Sequence, residues 1–211
     1  ALRSIFHVIA SGGRSSKLLG IDEWCRYLDG VGFMAADLSP REARLAFVWS
    51  RTAVIDGRTG RGRLREVQIP FEGFMEAICR VAIMKSLPLD DEVEAFGERN
   101  GFTHAGGYMA WASGRDAVAF ADFVRQRTTP WGVENRYQPT HRCVYHVIAM
   151  MIHAMQPKPA GDKDEDTRRD DLDLSEKEAV AWKHSQQKLR AQGAMLGVRR
   201  AQRFVLQRST Y

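Results

Sequence analysis

The chain has 211 residues, of which 44% are hydrophobic and 27% charged, which suits one large or two small globular domains. Its formal net charge of +5 favours acidic partners, namely nucleic acid, phosphoinositide surfaces or acidic protein tails, without distinguishing among them. Three scattered cysteines exclude a disulfide framework and favour a reduced intracellular compartment, and no apolar run reaches membrane-spanning length.

The spacing of apolar residues predicts an all-α protein, because strand-like alternation is scarce. The first predicted helix spans residues 1–10, and the second runs from Asp22 to Leu28 after a loop. Since the first residue already lies in a predicted helix, we expect the chain to be a piece of a longer protein.

The sequence of residues 39–85 predicts a helix, then an irregular loop with three glycines and four arginines, and then a second helix that begins near Phe71. The first helix has a clear start signal, with Ser39 at the N-cap, Pro40 at the first helical position and Glu42 closing a capping box. The apolar positions expected to face inward are Leu45, Phe47, Val48, Trp49, Thr52 and Val54 in the first helix, and Phe74, Met75, Ile78, Val81 and Ala82 in the second.

Further helices are expected from Asp90, over residues 117–127 and over residues 140–155. The glycine-rich residues 101–116 are expected to form a loop or short turns. The positions expected to be buried are Val118, Phe120, Ala121, Phe123 and Val124 in one of these helices, and Val144, Val147, Ile148, Met151 and Met155 in the other.

Residues 157–173 are charged and poor in apolar side chains, which is typical of a linker. They divide the chain into a unit at 1–88, a helical extension at 89–156 packed on it, and a C-terminal helix with a basic tail at 174–211. Ser175 is expected to cap that helix, and the tail is expected to dock on another surface. The apolar face of the helix and the arginines of the tail are Ala179, Trp182, Gln186, Leu189, Arg199, Arg200 and Arg203.

The two helix–loop–helix units within residues 1–88 resemble a pair of EF-hands. In that family, loop position 8 is hydrophobic and bridges to the partner loop, position 12 is a carboxylate, and an aromatic residue opens the next helix. Leu19 and Ile69 match position 8, and Trp24 and Phe74 match the helix opening. The resemblance implies paired, degenerate EF-hand-like units, followed by additional helices and an extended helical tail.

Calcium is bound in proteins by about six to eight oxygen atoms, and both loops lack most of them. The ligand positions are occupied by Gly12, Arg14 and Ser16 in the first loop, and by Gly62, Leu64 and Gly73 in the second. The remaining candidate ligands are Glu23 at position 12, Asp56 and Glu66. We therefore expect no calcium or other cofactor. The alternative is a calcium-responsive regulatory domain of a larger signalling enzyme.

The run FVWSR at residues 47–51 and the run IPFEGFMEAICRVAIMKSLP at residues 69–88 are similar to EF-hand-like domains of cilia- and flagella-associated proteins from algae and protists. This resemblance implies a structural or docking protein of the axoneme, associated with the cytoskeleton and microtubules and not with a membrane. Its partners would be axonemal proteins, with tubulin as a candidate. The residues implied to line a groove for a partner helix are Phe47, Trp49, Phe74, Met75 and Ile78, although they suit a closed core equally well.

The arginines of the predicted loop, Arg58, Arg61, Arg63 and Arg65, have three interpretations: a solvated loop, an acidic protein partner such as a tubulin tail, or nucleic acid. Nucleic acid is disfavoured because no aromatic residue is interleaved with them to stack bases.

Motifs for nucleotide binding, phosphoryl transfer and nucleophilic catalysis are absent from the sequence, so we predict that the chain is not an enzyme. One row of residues on the helix at 140–155 could share a metal ion or could form an ordinary helix edge, and no fourth ligand is visible nearby. That row is Cys143, His146, Met150 and His153.

Overall fold

A computed structural model describes residues 1–10, 18–51, 58–157 and 172–208, without the side chains of Arg61, Arg65 and residues 195–208. The described chain is mostly helical, as the sequence predicts. No helix within these ranges combines the length and the apolar character that a bilayer crossing requires. The elements in chain order are α1 (Leu2–Ala10), β1 (Leu19–Gly20), α2 (Ile21–Gly30), α3 (Pro40–Val48), α4 (Gly60–Val67), β2 (Gln68–Ile69), α5 (Phe71–Met84), α6 (Asp90–Asn100), α7 (Ala105–Arg115), α8 (Ala117–Arg127), α9 (Thr140–Met155) and α10 (Glu176–Arg208).

Helix α5 runs through the main core, because Phe74, Ile78 and Val81 are all fully buried. Aromatic rings of α1 and α2 surround its first turns, with Trp24 standing edge-on to Phe74 at a centroid distance of 6.0 Å. Such pairs add to the hydrophobic gain of burying the rings. The indole of Trp24 also donates a hydrogen bond to the carbonyl of Ala43, which fastens α2 to α3.

The C-terminal half of the described chain completes this core. Residues of α9, among them Val147 and Met151, are buried against α5. Helix α10 packs along α1, where the Lys183 ammonium donates to the carbonyl of Val8 at 2.6 Å and the Trp182 ring meets Tyr27. A second, smaller cluster of Val93, Phe102 and Tyr108 joins α6 to α7.

The capping box predicted at Ser39 is present, and the cap predicted at Ser175 is a capping box as well. The Ser39 hydroxyl accepts the amide N–H of Glu42, and the Glu42 carboxylate accepts the amide N–H of Ser39 at 2.8 Å. Ser175 and Glu178 repeat the arrangement at the start of α10. Each box satisfies backbone donors that a helix start leaves without partners.

Helix α3 ends earlier than predicted, and its buried face is different. Ala43, Ala46 and Phe47 face the core, whereas the side chain of Trp49 is 63% exposed. The small alanines allow close packing, as the Trp24 hydrogen bond to the carbonyl of Ala43 shows. Of the remaining expected inward positions, Leu45 is half-buried, Val48 is exposed, and Thr52 and Val54 lie outside the described residues.

Two segments predicted as loops are helices. The arginine-rich stretch folds as α4, which Thr59 starts by accepting the amide N–H of Gly62 at 2.9 Å. The glycine-rich stretch folds as α7, with His104 at its N-cap. Gly106 allows α7 to lie against α9, since a β-carbon there would stand 2.4 Å from the β-carbon of His153. Tertiary packing here overrides the low helix propensity of glycine.

Helices α8 and α9 form at the predicted positions with altered faces. Val118 and Ala121 were expected to be buried but are exposed, and Val124 is the buried residue of α8. On α9 the row expected at an edge contributes Cys143 and His146 to the interior, because α5 and α7 both pack against this helix. Of the α9 residues predicted to be buried, Val147, Met151 and Met155 are buried, whereas Val144 and Ile148 are half-buried.

Candidate functional site

The two N-terminal units meet at the predicted bridge. Leu19 pairs with Ile69 and Gly20 with Gln68 in a short antiparallel ladder, and the side chains of Leu19 and Ile69 are fully buried. Each two-residue strand leads directly into the next helix, α2 or α5. The ladder therefore fixes the starts of these two helices relative to each other.

The candidate calcium ligands do not form a cage among the described residues. The carboxylate of Glu23 accepts the amide N–H of Gly20 at 3.0 Å and so caps its own helix. Gly62, Leu64 and Glu66 lie in α4, where a helix replaces the expected loop. Gly12, Arg14, Ser16 and Asp56 fall outside the described ranges. Within those ranges no group of three or more histidine, cysteine, aspartate or glutamate residues could hold a metal ion.

The backbone around Gly73 leaves no room for the position 12 carboxylate of an EF-hand. A β-carbon at Gly73 would lie 2.8 Å from the carbonyl oxygen of Ser50 and 2.9 Å from the β-carbon of Ile69. A glutamate could enter this position only if the backbone moved. Ser50, which follows α3, and Ile69 of β2 thus occupy the space that a ligand side chain would need.

The residues predicted to line a partner groove do not share one surface. Phe47, Phe74 and Ile78 are buried in the core, and Met75 is half-buried. Trp49 alone among them is largely exposed. The structure thus has a closed core at this place, and partner binding by these residues stays a prediction.

Trp49 is an exposed residue just after the end of α3, which Arg51 joins to the end of α4. The Arg51 guanidinium ties the two ends together, because it donates to the carbonyl of Glu66 at 2.6 Å and to that of Val48 at 3.3 Å. We define the Trp49 surface as Trp49 together with the exposed residues of the segment that follows it and of α4, namely Arg51, Arg58, Arg63, Leu64 and Val67. Of the other arginines predicted to bind a partner, Arg61 lies in α4, and Arg199, Arg200 and Arg203 lie in α10. The structure describes only the backbone of these four residues.

A cleft of about 790 Å³ lies between α6, the segment that joins α6 to α7, and the first turns of α9. The sequence does not indicate this cleft, although Asp90 starts a predicted helix and His146 belongs to the row that could share a metal ion. Its polar lining residues are Asp90, Glu94, Glu98, Thr103, His104, Arg142, Tyr145 and His146.

Asp90 contacts two other residues that line this cleft, Arg142 and His146. Its Oδ1 atom accepts a short hydrogen bond from Arg142 and lies 3.2 Å from Nε2 of His146. The contact with His146 is electrostatic, since neither ring nitrogen of His146 has an aligned hydrogen-bond partner in the described structure. His146 is only 1% exposed. The Arg142 hydrogen bond lowers the pKa of Asp90, and burial lowers the pKa of His146 against the opposing pull of Asp90.

Cys143, one turn before His146, has the character of a structural thiol. Its sulfur lies 3.7 Å from the carbonyl oxygen of Gln138, and burial raises its pKa to about 11. The thiol is therefore protonated near neutral pH, whereas metal binding and nucleophilic attack need the thiolate.

We expect His146 to make the folded state less stable in mild acid. Because its pKa is lowered in the folded state, the unfolded chain binds more protons once the pH falls below the ordinary histidine pKa of about 6.5. Stability should therefore drop as the pH falls from about 7 toward 5. The His146→Gln variant should lose part of this drop, measured as the urea midpoint at each pH. An unchanged pH dependence in the variant would contradict the assignment, and His184→Gln on α10 is the control.

Comparisons with known proteins give no relative for this chain. No protein-family model, no curated protein and no solved structure matches it.

Proposed function

We propose that this chain is a non-catalytic docking module that binds an acidic protein surface through the Trp49 surface. The observation that carries the proposal is the large exposure of Trp49, close in the chain to exposed arginines and at the point where Arg51 joins the ends of α3 and α4. Tryptophan and arginine are the residue types that most often dominate binding energy at protein interfaces. An exposed tryptophan without a structural role in the core is consistent with such a use.

The geometry supports this surface over the predicted groove. Arg51 donates to the carbonyls of Val48 and Glu66, which ties the backbone next to Trp49 to the helix that carries Arg63. Leu64 and Val67 add exposed apolar area next to the positive charges. A partner that offers carboxylates around an apolar contact would complement the surface in both respects.

The identity of the partner rests on the resemblance of residues 47–51 and 69–88 to EF-hand-like domains of cilia- and flagella-associated proteins. Antiparallel pairing of Leu19 with Ile69 supports an EF-hand-like arrangement of the two units. We therefore propose axonemal proteins as partners, and the acidic C-terminal tails of tubulin as the first candidate. In this proposal the module acts constitutively, without calcium.

The test is co-sedimentation with microtubules, intact or with their acidic tails removed by limited proteolysis. We expect intact microtubules to bind the protein, and removal of the tails to weaken binding strongly. The double variant Trp49→Ser/Arg63→Ser should bind at least about tenfold more weakly, as expected for loss of an interface hot spot. Both side chains are exposed, so the fold should be retained.

The matched control is Val118→Ser/Arg125→Ser on α8, which also removes one exposed apolar group and one arginine. It should bind like the unaltered protein. Equal binding by the Trp49→Ser/Arg63→Ser variant and the control would refute the role of the Trp49 surface. Binding that survives tail removal would refute the acidic tails as the partner.

A further inference from the structure

Some of the ionisable side chains that line the cleft between α6 and α9 have a partner within the protein, and others form no ion pair. Arg142 is paired with Asp90, and His104 uses Nδ1 to accept the amide N–H of Gly107 at the start of α7. Glu94 and Glu98 line the cleft, are exposed, and form no ion pair within the described structure. The uncompensated charge of the cleft is therefore negative.

His146 provides an independent indication of an occupant. Its ring lines the cleft and is almost completely buried. Nε2 lies 3.2 Å from Oδ1 of Asp90 without hydrogen-bond alignment, and Nδ1 has no hydrogen-bond partner among the described residues. A buried polar atom without a partner has lost its hydrogen bonds to water, so native structures usually satisfy such atoms. Burial favours the neutral ring, which presents one nitrogen as a hydrogen-bond acceptor.

We propose that the α6–α9 cleft binds a cationic group, the guanidinium or ammonium of an arginine or lysine side chain on a partner protein. Glu94 and Glu98 attract the cation at the mouth, and Asp90 and the acceptor nitrogen of His146 receive its N–H donors. Arg142 and His146 both face Oδ1 of Asp90, which leaves Oδ2 for the ligand while the ion pair with Arg142 is kept. The volume of about 790 Å³ accommodates a long side chain together with the backbone that carries it.

The lining supports a cation over the other ligand classes. An anion would meet the carboxylates of Glu94 and Glu98 before it reached Arg142, which Asp90 already neutralises. A metal ion would need more ligands than the described residues bring together. This cleft and the Trp49 surface involve different helices and opposite charge, so the two proposals fail or succeed independently.

The experiment uses the full chain and two probes at low salt and pH 7.5: a blocked peptide with two arginines four residues apart, and spermidine. Calorimetry measures affinity, and the ring signals of the six histidines in NMR spectra locate the site. We expect the peptide to bind and to shift the His146 signals. The Glu94→Gln/Glu98→Gln variant should bind the peptide at least about tenfold more weakly.

The matched control is Glu72→Gln/Glu76→Gln, which removes two exposed carboxylates with the same spacing from α5. It should bind within about twofold of the unaltered protein. Equal weakening in both variants, or peptide binding without a shift at His146, would overturn the site. Spermidine binding as tight as that of the peptide would overturn the assignment to a partner protein in favour of a free polyamine.

Discussion

Replacing Lys85 with methionine is expected to lower the free energy of unfolding by about 3–5 kcal/mol. The Lys85 ammonium lies 2.8 Å from Oδ1 of Asp37 and 3.1 Å from the carbonyl oxygen of Phe33. The two charged side chains are only 4% and 2% exposed. Methionine keeps the length of the side chain but removes the charge, which leaves the Asp37 carboxylate buried without a counterion.

The Lys85 pair also connects three parts of the fold, which adds to the expected cost. Asp37 lies between α2 and α3, and its second oxygen accepts the amide N–H of Ser86 after α5. The Ser86 hydroxyl in turn donates to the carbonyl of Val124 in α8. A buried network whose members are all paired loses more than one contact when one member is removed.

Urea unfolding followed by circular dichroism measures this effect, and Arg125→Met is the control. Arg125 pairs with Asp122 on the exposed surface of α8, where such an ion pair contributes at most about 1 kcal/mol. The control should therefore unfold close to the unaltered protein. If Lys85→Met were as stable as the control, the Asp37–Lys85 pair would not be an essential buried contact.

The second large effect is expected at Gly106, where substitution by alanine should destabilise the protein by about 1–3 kcal/mol or more. The new β-carbon would stand 2.4 Å from the β-carbon of His153 and 3.1 Å from the carbonyl oxygen of Ala149. Both are close to or part of the α9 backbone, so rotation of a side chain cannot relieve the overlap. Helix α7 would have to move away from α9.

Gly114 in the same helix provides the matched control. A β-carbon at Gly114 would meet nothing within 4 Å, so alanine there should stabilise α7 by up to about 1 kcal/mol through its higher helix propensity. The two variants should therefore shift the thermal midpoint in opposite directions. A shift of the same sign and size in both would mean that close packing at Gly106 contributes nothing.

Local signals account for what the sequence predicted well. Capping residues such as Ser39 and Ser175 act within one turn of chain, so the helix starts that they mark were found correctly. The spacing of Phe74, Ile78 and Val81 places them on one face of α5 wherever that helix packs, and all three are buried. The pairing of Leu19 with Ile69 followed from matching two loops to one pattern.

The incorrect predictions concern residues whose secondary structure or burial depends on the rest of the fold and not on the local sequence pattern. Gly106 is a poor helix former in isolation, and it is helical because α9 requires close approach. The helical spacing of Trp49 suggested burial, but α3 ends at Val48 and leaves the ring in solvent. The α6–α9 cleft joins Asp90 to His146, and no local pattern relates two residues so far apart.

The packing of α10 on α1 has a consequence for how the protein folds. Lys183 and Val8, joined by a hydrogen bond, are separated by 175 positions. Contacts between distant positions form late, because the loop between them must first lose its conformational freedom. During synthesis, α1 therefore cannot pack against α10 until most of the described chain has left the ribosome. Until then the face of α1 that α10 covers is exposed, which makes this helix the expected point of chaperone contact.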